Sequence, residues 1–155
     1  MGAPTVTIRF LHGTCDRIAP MREFYTELVG MAEVGHHDEA AFGWVCYQCE
    51  GFQLMFFRGD RPLAPHPAWD FMPGDGDERY EGQRLSYGIC VPWDDYRARV
   101  RRIALRSDVP KMTPRPTWRQ GSYWGWSLKD PAHNTLELYA APPSPHDPAP
   151  EWRDA

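Results

Sequence analysis

Two stretches of this chain repeat apolar residues at the three-to-four-residue spacing of a helix, residues 19–30 and 93–107. Gly30 follows the first stretch and supplies its end, because glycine readily adopts the left-handed conformation that terminates helices. In the second stretch, acidic residues occupy the first turn and arginines lie toward the end, as the helix dipole prefers. The arginine-rich run is therefore interpreted as a solvated helix face.

Alternating apolar and non-apolar residues predict strands with one buried face in the segments between and after these helices. The predicted strands are residues 5–14, 32–37, 41–49, 52–58, 84–91, 122–129 and 135–140. Residues 111–119 contain two prolines and permit only an edge strand or a loop. The order strand, helix, strand, strand, strand therefore occurs twice.

This repeat predicts a single domain, residues 1–155, that consists of two modules and their connections. Module one covers residues 5–58, a linker or covering loop covers 59–82, module two covers 83–141, and a Pro-rich tail covers 142–155. The aromatic and apolar side chains within the loop argue against a simple solvated linker. They are Trp69, Phe71 and Met72, and Trp152 is the residue expected to dock the tail.

The composition narrows the classes of partner. The net charge is −4 and no dense basic stripe remains once the second helix is accounted for, so we expect no nucleic-acid partner. No apolar run approaches the length of a membrane span, so we expect no membrane partner and a cytoplasmic location. Seven tryptophans and 14% aromatic residues suggest an aromatic-lined cavity, with a bulky core as the alternative.

Three segments resemble the vicinal oxygen chelate superfamily, which contains glyoxalase I, extradiol dioxygenases, fosfomycin-modifying enzymes and bleomycin-resistance binding proteins. The segments are "REFYTELVGM" (22–31), "GFQLMFF" (51–57) and "DPAHNTLELY" (130–139). The resemblance implies an α+β fold in which two βαβββ modules form a cupped, partly open mixed β-barrel with the helices outside. It also implies that ligand groups come from the first and fourth strands of each module.

In the metal-dependent members of that superfamily, His or Gln and Glu side chains on those four strands hold a divalent ion. Glu137 matches the last-strand glutamate, Gln53 occupies the fourth strand of module one, and Ser86 stands where His is usual. Counting back from Phe24 without gaps puts Phe10 at the first-strand position, whereas a loop shorter by two residues puts His12 there. The resemblance therefore offers His12 and Glu137 as metal ligands, an incomplete set for a transition metal.

His133 takes the place of the turn glycine in the superfamily motif. We therefore expect a positive φ at His133, which histidine tolerates better than most residues do. This conformational requirement accounts for the residue without a chemical role.

The favoured hypothesis is a small-molecule-binding protein with a degenerate metal site and no cofactor, as a homodimer. Aromatic side chains would stack on a planar ligand, and Glu137, His12, Gln53 and Ser86 would orient it. The expected pocket residues are Phe10, His12, Trp44, Gln53, Ser86, Trp124, Trp126 and Tyr139, with covering-loop Trp69. One alternative is a metal-dependent lyase, isomerase or dioxygenase that uses a divalent transition metal. The other is a metal-free enzyme with Glu137 as general base and His12 as its partner.

Overall fold

A computed structural model describes residues 8–69 and 84–144 of the chain. The predictions for Phe71 and Met72 of the covering loop, and for Trp152 of the tail, lie outside these described residues. The chain divides into two compact units, of which the first ends at Leu63 and the second begins at Ala64. The finer module boundaries given above stay a prediction.

The first unit contains one helix and a four-stranded sheet in the order β1-β4-β3-β2. The strands β1 and β4 are parallel, and the other neighbouring strands are antiparallel. The elements are β1 (Phe10–Cys15), α1 (Ile18–Arg22, continued by a π-helical segment Glu23–Val29), β2 (Ala32–Glu39), β3 (Phe42–Gln48) and β4 (Gln53–Arg58).

Aromatic packing joins the helical segment of the first unit to its sheet. The ring of Tyr25 stacks on Phe56 at 5.2 Å and lies 5.1 Å from the ring of Tyr47. The hydroxyl of buried Tyr47 donates a hydrogen bond of 3.0 Å to the carbonyl of Met21, which satisfies its polar end. Gly30 ends the helix with φ 78°, as its sequence position predicts.

The second unit repeats this arrangement, with sheet order β5-β8-β7-β6 and β5 parallel to β8. Its edge strand β6 has three residues, which agrees with the restriction that prolines impose on this stretch. The helix α2 packs on β8 through its apolar stripe. The elements are β5 (Ser86–Cys90), α2 (Trp93–Ala104), β6 (Thr117–Arg119), β7 (Tyr123–Lys129) and β8 (Thr135–Ala140).

A buried aspartate organises the turn between β7 and β8. Asp130 accepts hydrogen bonds from the backbone N–H groups of Ala132 (2.8 Å) and Asn134 (2.9 Å) and from the Asn134 side-chain amide (2.8 Å). Asn134 in turn accepts a bond of 3.0 Å from the N–H of Leu85, which precedes β5. His133 has φ 64°, so the predicted positive φ is confirmed.

The predicted α+β class and the twofold occurrence of the βαβββ order are confirmed. The main differences are at strand ends, because β1 begins at Phe10 and β5 covers only Ser86–Cys90. No helix among residues 8–69 and 84–144 is long and apolar enough to span a membrane.

Candidate functional site

The pairing of β5, β8, β7 and β6 places Glu137 on one face of the second sheet, which we call the Glu137 face. Glu137 lies between Gly88 on β5 and Ser127 on β7, and the neighbouring row contains Cys90, Tyr139 and Gly125. Side chains alternate between faces along a strand, so Leu136 and Leu138 lie on the opposite face, which we call the leucine face. Although Glu137 lies on the face opposite these leucines, it is buried rather than exposed to solvent.

A buried ion pair is the central feature of the Glu137 face. Nε of Arg119 lies 2.8 Å from Oε1 of Glu137, with 2% and 8% of the two side-chain surfaces exposed. Besides this ion pair, Arg119 donates a hydrogen bond of 3.0 Å from its Nη2 to the hydroxyl of Ser127. Burial of a charge without a partner has a large desolvation penalty, and the nearby guanidinium offsets this penalty for the Glu137 carboxylate.

Gly125 supplies the space in which the ion pair fits. A Cβ atom at this residue would collide with Oε1 of Glu137 and lie 2.8 Å from Nε of Arg119. Any side chain larger than hydrogen would thus displace one partner of the pair. The requirement for glycine here is one of close approach, because the pair crosses over the strand at this point.

The charges of this ion pair also affect the pKa of a tyrosine on α2. Burial, followed by the negative charge of Glu137, raises the pKa of Tyr96 on α2, and the positive charge of Arg119 opposes that rise. Tyr96 is fully buried and therefore stays neutral across the physiological range.

Around the buried pair, the Glu137 face has a more accessible rim. Tyr123 and Tyr139 are half-buried, and their rings lie 5.2 Å apart at an angle of 57°. Burial raises the pKa of Tyr139, and neighbouring Cys90 adds to the rise. The strand β5 contributes three exposed residues to this rim: Ser86, Gly88 and Cys90. The Glu137 face therefore combines a buried ion pair with aromatic and small side chains that solutes can reach.

The structure does not bring Trp124 and Trp126 onto the Glu137 face. Antiparallel pairing sets Trp126 opposite Leu138 and Trp124 opposite Ala140, so both indoles belong to the leucine face. Trp126 is 1% exposed, and its indole N–H donates a hydrogen bond of 2.9 Å to the carbonyl of Thr113. These two tryptophans are core residues, and we do not retain them as pocket residues.

The predicted pocket residues of module one share a face of the first sheet. Phe10 pairs with Gln53, and His12 and Trp44 have the same parity. The ring of His12 lies 5.8 Å from Phe10 and 5.6 Å from Phe57. Phe10 is 57% exposed, so this face presents aromatic surface to solvent.

The strand pairing corrects the assignment of Gln53 to the position of Glu137 in module one. Gly51 with φ 80° and His133 with φ 64° hold the same place before the fourth strands of the two modules. Counted from these residues, Gln53 corresponds to Thr135 and Met55 corresponds to Glu137. By the same pairing Phe10, rather than His12, corresponds to Ser86.

Sequence reasoning missed three residues of the Glu137 face: Arg119, Gly125 and Ser127. Arg119 follows a Pro-containing segment in a strand of three residues, and its partner is 18 positions away, counted from Arg119 to Glu137. The available signal was "WGWS", in which two bulky apolar residues alternate with two small ones, Gly125 and Ser127. That pattern indicates a crowded space on the small-residue face.

The donor set around Glu137 does not fit a divalent transition metal. Its carboxylate is already in contact with a cation, and its neighbours on β5 and β7 are Gly88 and Ser127. Within the described part of the chain, no group of three or more His, Cys, Asp or Glu side chains is placed to hold a metal ion.

Solved structures with similar folds agree with the resemblance found in the sequence, whereas no family model and no curated protein sequence matches the chain. A lactoylglutathione lyase from Agrobacterium tumefaciens matches with a TM-score of 0.56 and 13% identity over 89% of this chain and 96% of its own. A glyoxylase/bleomycin resistance protein/dioxygenase domain from Frankia sp. EAN1pec matches at 0.56 and 12%, over 92% and 96%.

A third match is the fosfomycin resistance protein FosX from Listeria monocytogenes, in complex with Mn(II) and a dihydroxypropylphosphonic acid. Its TM-score is 0.55 and its identity 14%, over 90% of this chain and 96% of its own. At such identities the likeness establishes a shared fold. The chain therefore has the glyoxalase/bleomycin resistance/dioxygenase fold, and its chemistry must be argued from its own residues.

Proposed function

We propose that this chain is a small-molecule-binding protein of the glyoxalase/bleomycin-resistance type with a degenerate metal site, and that its ligand lies on the Glu137 face. The observation that carries the proposal is the contact between Arg119 and Glu137, 2.8 Å from Nε to Oε1. The carboxylate that the family resemblance assigns to a metal has a guanidinium as its partner instead.

The composition of the rim supports a ligand with an aromatic portion. Tyr123 and Tyr139 offer ring surface and hydroxyl groups beside the ion pair. The Tyr139 ring packs closely over Gly88, where a Cβ atom would lie only 3.0 Å from it, and exposed Ser86 adds a hydroxyl group along β5. Binding sites commonly join apolar surface to a few fixed polar groups, and this face offers both.

No feature of the described residues favours the enzymatic alternatives over binding. A general base must take up a proton during turnover, and the contact with Arg119 makes Glu137 a weaker base, because protonation would remove the attraction between the two charges. Metal-assisted chemistry needs ligands that the neighbours of Glu137 do not supply. The module-one residues Phe10, His12, Trp44 and Gln53 remain proposed ligand contacts through their own shared face.

The test is binding of planar aromatic antibiotics and polyketides, measured by equilibrium dialysis and by quenching of intrinsic fluorescence. We expect saturable binding by the wild-type chain and at least a roughly tenfold loss of affinity in Tyr139→Ala, about 1.4 kcal/mol. Tyr87→Ala is the matched control, because Tyr87 lies on the neighbouring strand with the parity of Leu136.

Equal losses in Tyr139→Ala and Tyr87→Ala would place the ligand elsewhere, and no binding across the panel would remove the proposal's main support. A stoichiometric transition metal that disappears in Glu137→Ala would favour the metal-dependent enzyme. The homodimer stays a prediction, which sedimentation velocity of the purified chain would test.

A further inference from the structure

The cation beside Glu137 belongs to the chain itself. Arg119 comes from edge strand β6, and its guanidinium reaches across β7 to a carboxylate on β8. We propose that this guanidinium supplies the positive charge that a metal ion would supply at Glu137, and thereby closes the position to divalent cations. The inference concerns the same face as the proposed ligand site but does not depend on what ligand binds there.

The first support for this inference is the space available around the carboxylate. Oε1 of Glu137 has Nε of Arg119 at 2.8 Å, and a Cβ on Gly125 would collide with that same oxygen. A metal bound at Oε1 would have to approach a fixed positive charge at close to contact distance. Like charges at such range repel each other even in bulk water, and the repulsion grows in a buried site.

The second support is that the guanidinium is held in place rather than resting on Glu137 by chance. Its Nη2 donates a hydrogen bond of 3.0 Å to the hydroxyl of Ser127, which lies on β7, the strand between β6 and β8. The backbone after Arg119 is a tight turn with positive φ at Gln120 (52°) and Gly121 (65°). Ser122 closes this turn by donating its N–H to the carbonyl of Arg119 at 3.0 Å.

The third support is the set of donors on β5, the strand beside β8 in the second sheet. Ser86 and Gly88 are the exposed residues of β5 beside Thr135 and Glu137, and neither is a strong ligand for transition metals. Among the described residues of this part of the Glu137 face, Glu137 is therefore the strong oxygen donor, and the positive charge of Arg119 compensates its negative charge. The pair replaces the metal as the partner of the carboxylate and leaves no net charge at this point.

The experiment measures bound metal and thermal unfolding of the full chain in four forms: wild type, Glu137→Gln, Arg119→Met and the double variant. Each is dialysed against Ni²⁺, Mn²⁺ or Zn²⁺ and analysed for metal content. Wild type and Glu137→Gln should retain indistinguishable amounts of each metal, because binding at other groups is common to both. Arg119→Met should have a lower Tm than wild type, by about 10 °C for a lost partner of a buried charge.

Removal of Arg119 leaves Glu137 able to attract an external cation. Added metal should therefore raise the Tm of Arg119→Met by several degrees more than that of wild type, and this gain should vanish in the double variant. A metal content in wild type that Glu137→Gln abolishes would overturn the inference. So would an Arg119→Met protein whose Tm responds to metal no more than wild type.

If Arg119→Met does not fold, Arg119→Lys takes its place, because it keeps a cation at this position and should respond to metal as wild type does. The comparison of wild type with Glu137→Gln needs no arginine variant and can still overturn the inference. Failure of this inference is distinguishable from failure of the ligand-binding part of the proposed function. Metal content and Tm are measured without any organic ligand, whereas the binding panel is measured without added metal.

Discussion

The two sheets of this protein have the same strand order and the same parallel first pair, yet their corresponding faces are built differently. In the first sheet, the row through Met55 contains His12 and Cys46, and aromatic rings lie beside it. In the second sheet, the same row contains Gly88, Glu137 and Ser127. One backbone plan thus carries an aromatic face in one module and an ion-paired face in the other.

The difference shows what a buried acid requires of its surroundings. Glu137 needs a cation, and Arg119 reaches it only because Gly125 has no side chain and Ser127 offers a hydroxyl. Met55 requires none of these, and Trp44 occupies the place in module one that Gly125 occupies in module two. Substitutions that exchange or remove these features should therefore act very differently in the two modules.

The largest contrast should come from the tryptophans. Trp126→Ala should lower the free energy of unfolding by about 3–5 kcal/mol, because it empties a fully buried site on the leucine face. Trp44→Ala should cost less, about 2 kcal/mol, since Trp44 is only partly buried and loses less buried surface. Urea unfolding of both variants measures the difference, and equal costs would mean that the faces are assigned incorrectly.

The next contrast is between the turns that precede β4 and β8. Asp130→Ala should destabilise the protein by about 3 kcal/mol, because three hydrogen bonds to the buried carboxylate are lost. Gly51→Ala should cost about 1–2 kcal/mol, the penalty for a side chain at φ 80° in a turn with open space around it. Asp130→Asn retains an acceptor and should fall between the wild type and Asp130→Ala in chemical denaturation. An Asp130→Ala protein as stable as wild type would refute this role of the carboxylate.

Glycine substitutions in the sheets test whether the ion pair needs its space. Gly125→Ala should cost about 1–3 kcal/mol by overpacking, because its Cβ would collide with Glu137. Gly35→Ala on β2 is the matched control, because its Cβ would meet only the ring of Trp44 at 3.4 Å. We expect the control to stay within about 0.5 kcal/mol of wild type in thermal and urea unfolding. Similar losses in both variants would remove the special role of Gly125.

The smallest effect concerns a partly buried ion pair of module one, between Arg22 and Glu33. Burial raises the pKa of Glu33, but hydrogen bonds from Arg22 (2.8 Å) and His36 (2.7 Å) outweigh it and lower the pKa below its usual 4.5. A lowered folded pKa means that the pair stabilises the protein above about pH 4.5 and loses this contribution as the pH falls further. Glu33→Gln should therefore be less stable than wild type at pH 7, by less than about 1 kcal/mol, and the gap should close in acid. A gap that widens as the pH falls would contradict this account.

Periodicity and turn chemistry were sufficient to predict most of the fold. Both helices, the repeated order of elements and the edge position of β6 follow from local patterns, since each depends on neighbouring residues. The positive φ of His133 was predicted from the resemblance to the superfamily motif, in which a turn glycine holds this place. The orientation of Glu137 away from Leu136 and Leu138 follows from alternation alone.

The composition of the site was less predictable, because it depends on pairing between distant segments. The register that sets Trp126 opposite Leu138 exists only in the folded sheet, so an aromatic count alone did not separate core from pocket. Arg119 reaches Glu137 from a short edge strand across an intervening strand. No spacing rule within the sequence encodes such a contact, although the small residues of "WGWS" indicate where it occurs.

The most direct test of the central claim is a double-mutant cycle on Arg119 and Glu137, measured by urea unfolding of wild type, Arg119→Met, Glu137→Gln and the double variant. If the two side chains form a buried pair, the single variants should each lose several kcal/mol, and the double variant should lose much less than their sum. The predicted coupling is about 2–3 kcal/mol. Additive losses, with a coupling below about 0.5 kcal/mol, would contradict the claim that Arg119 is the partner of Glu137.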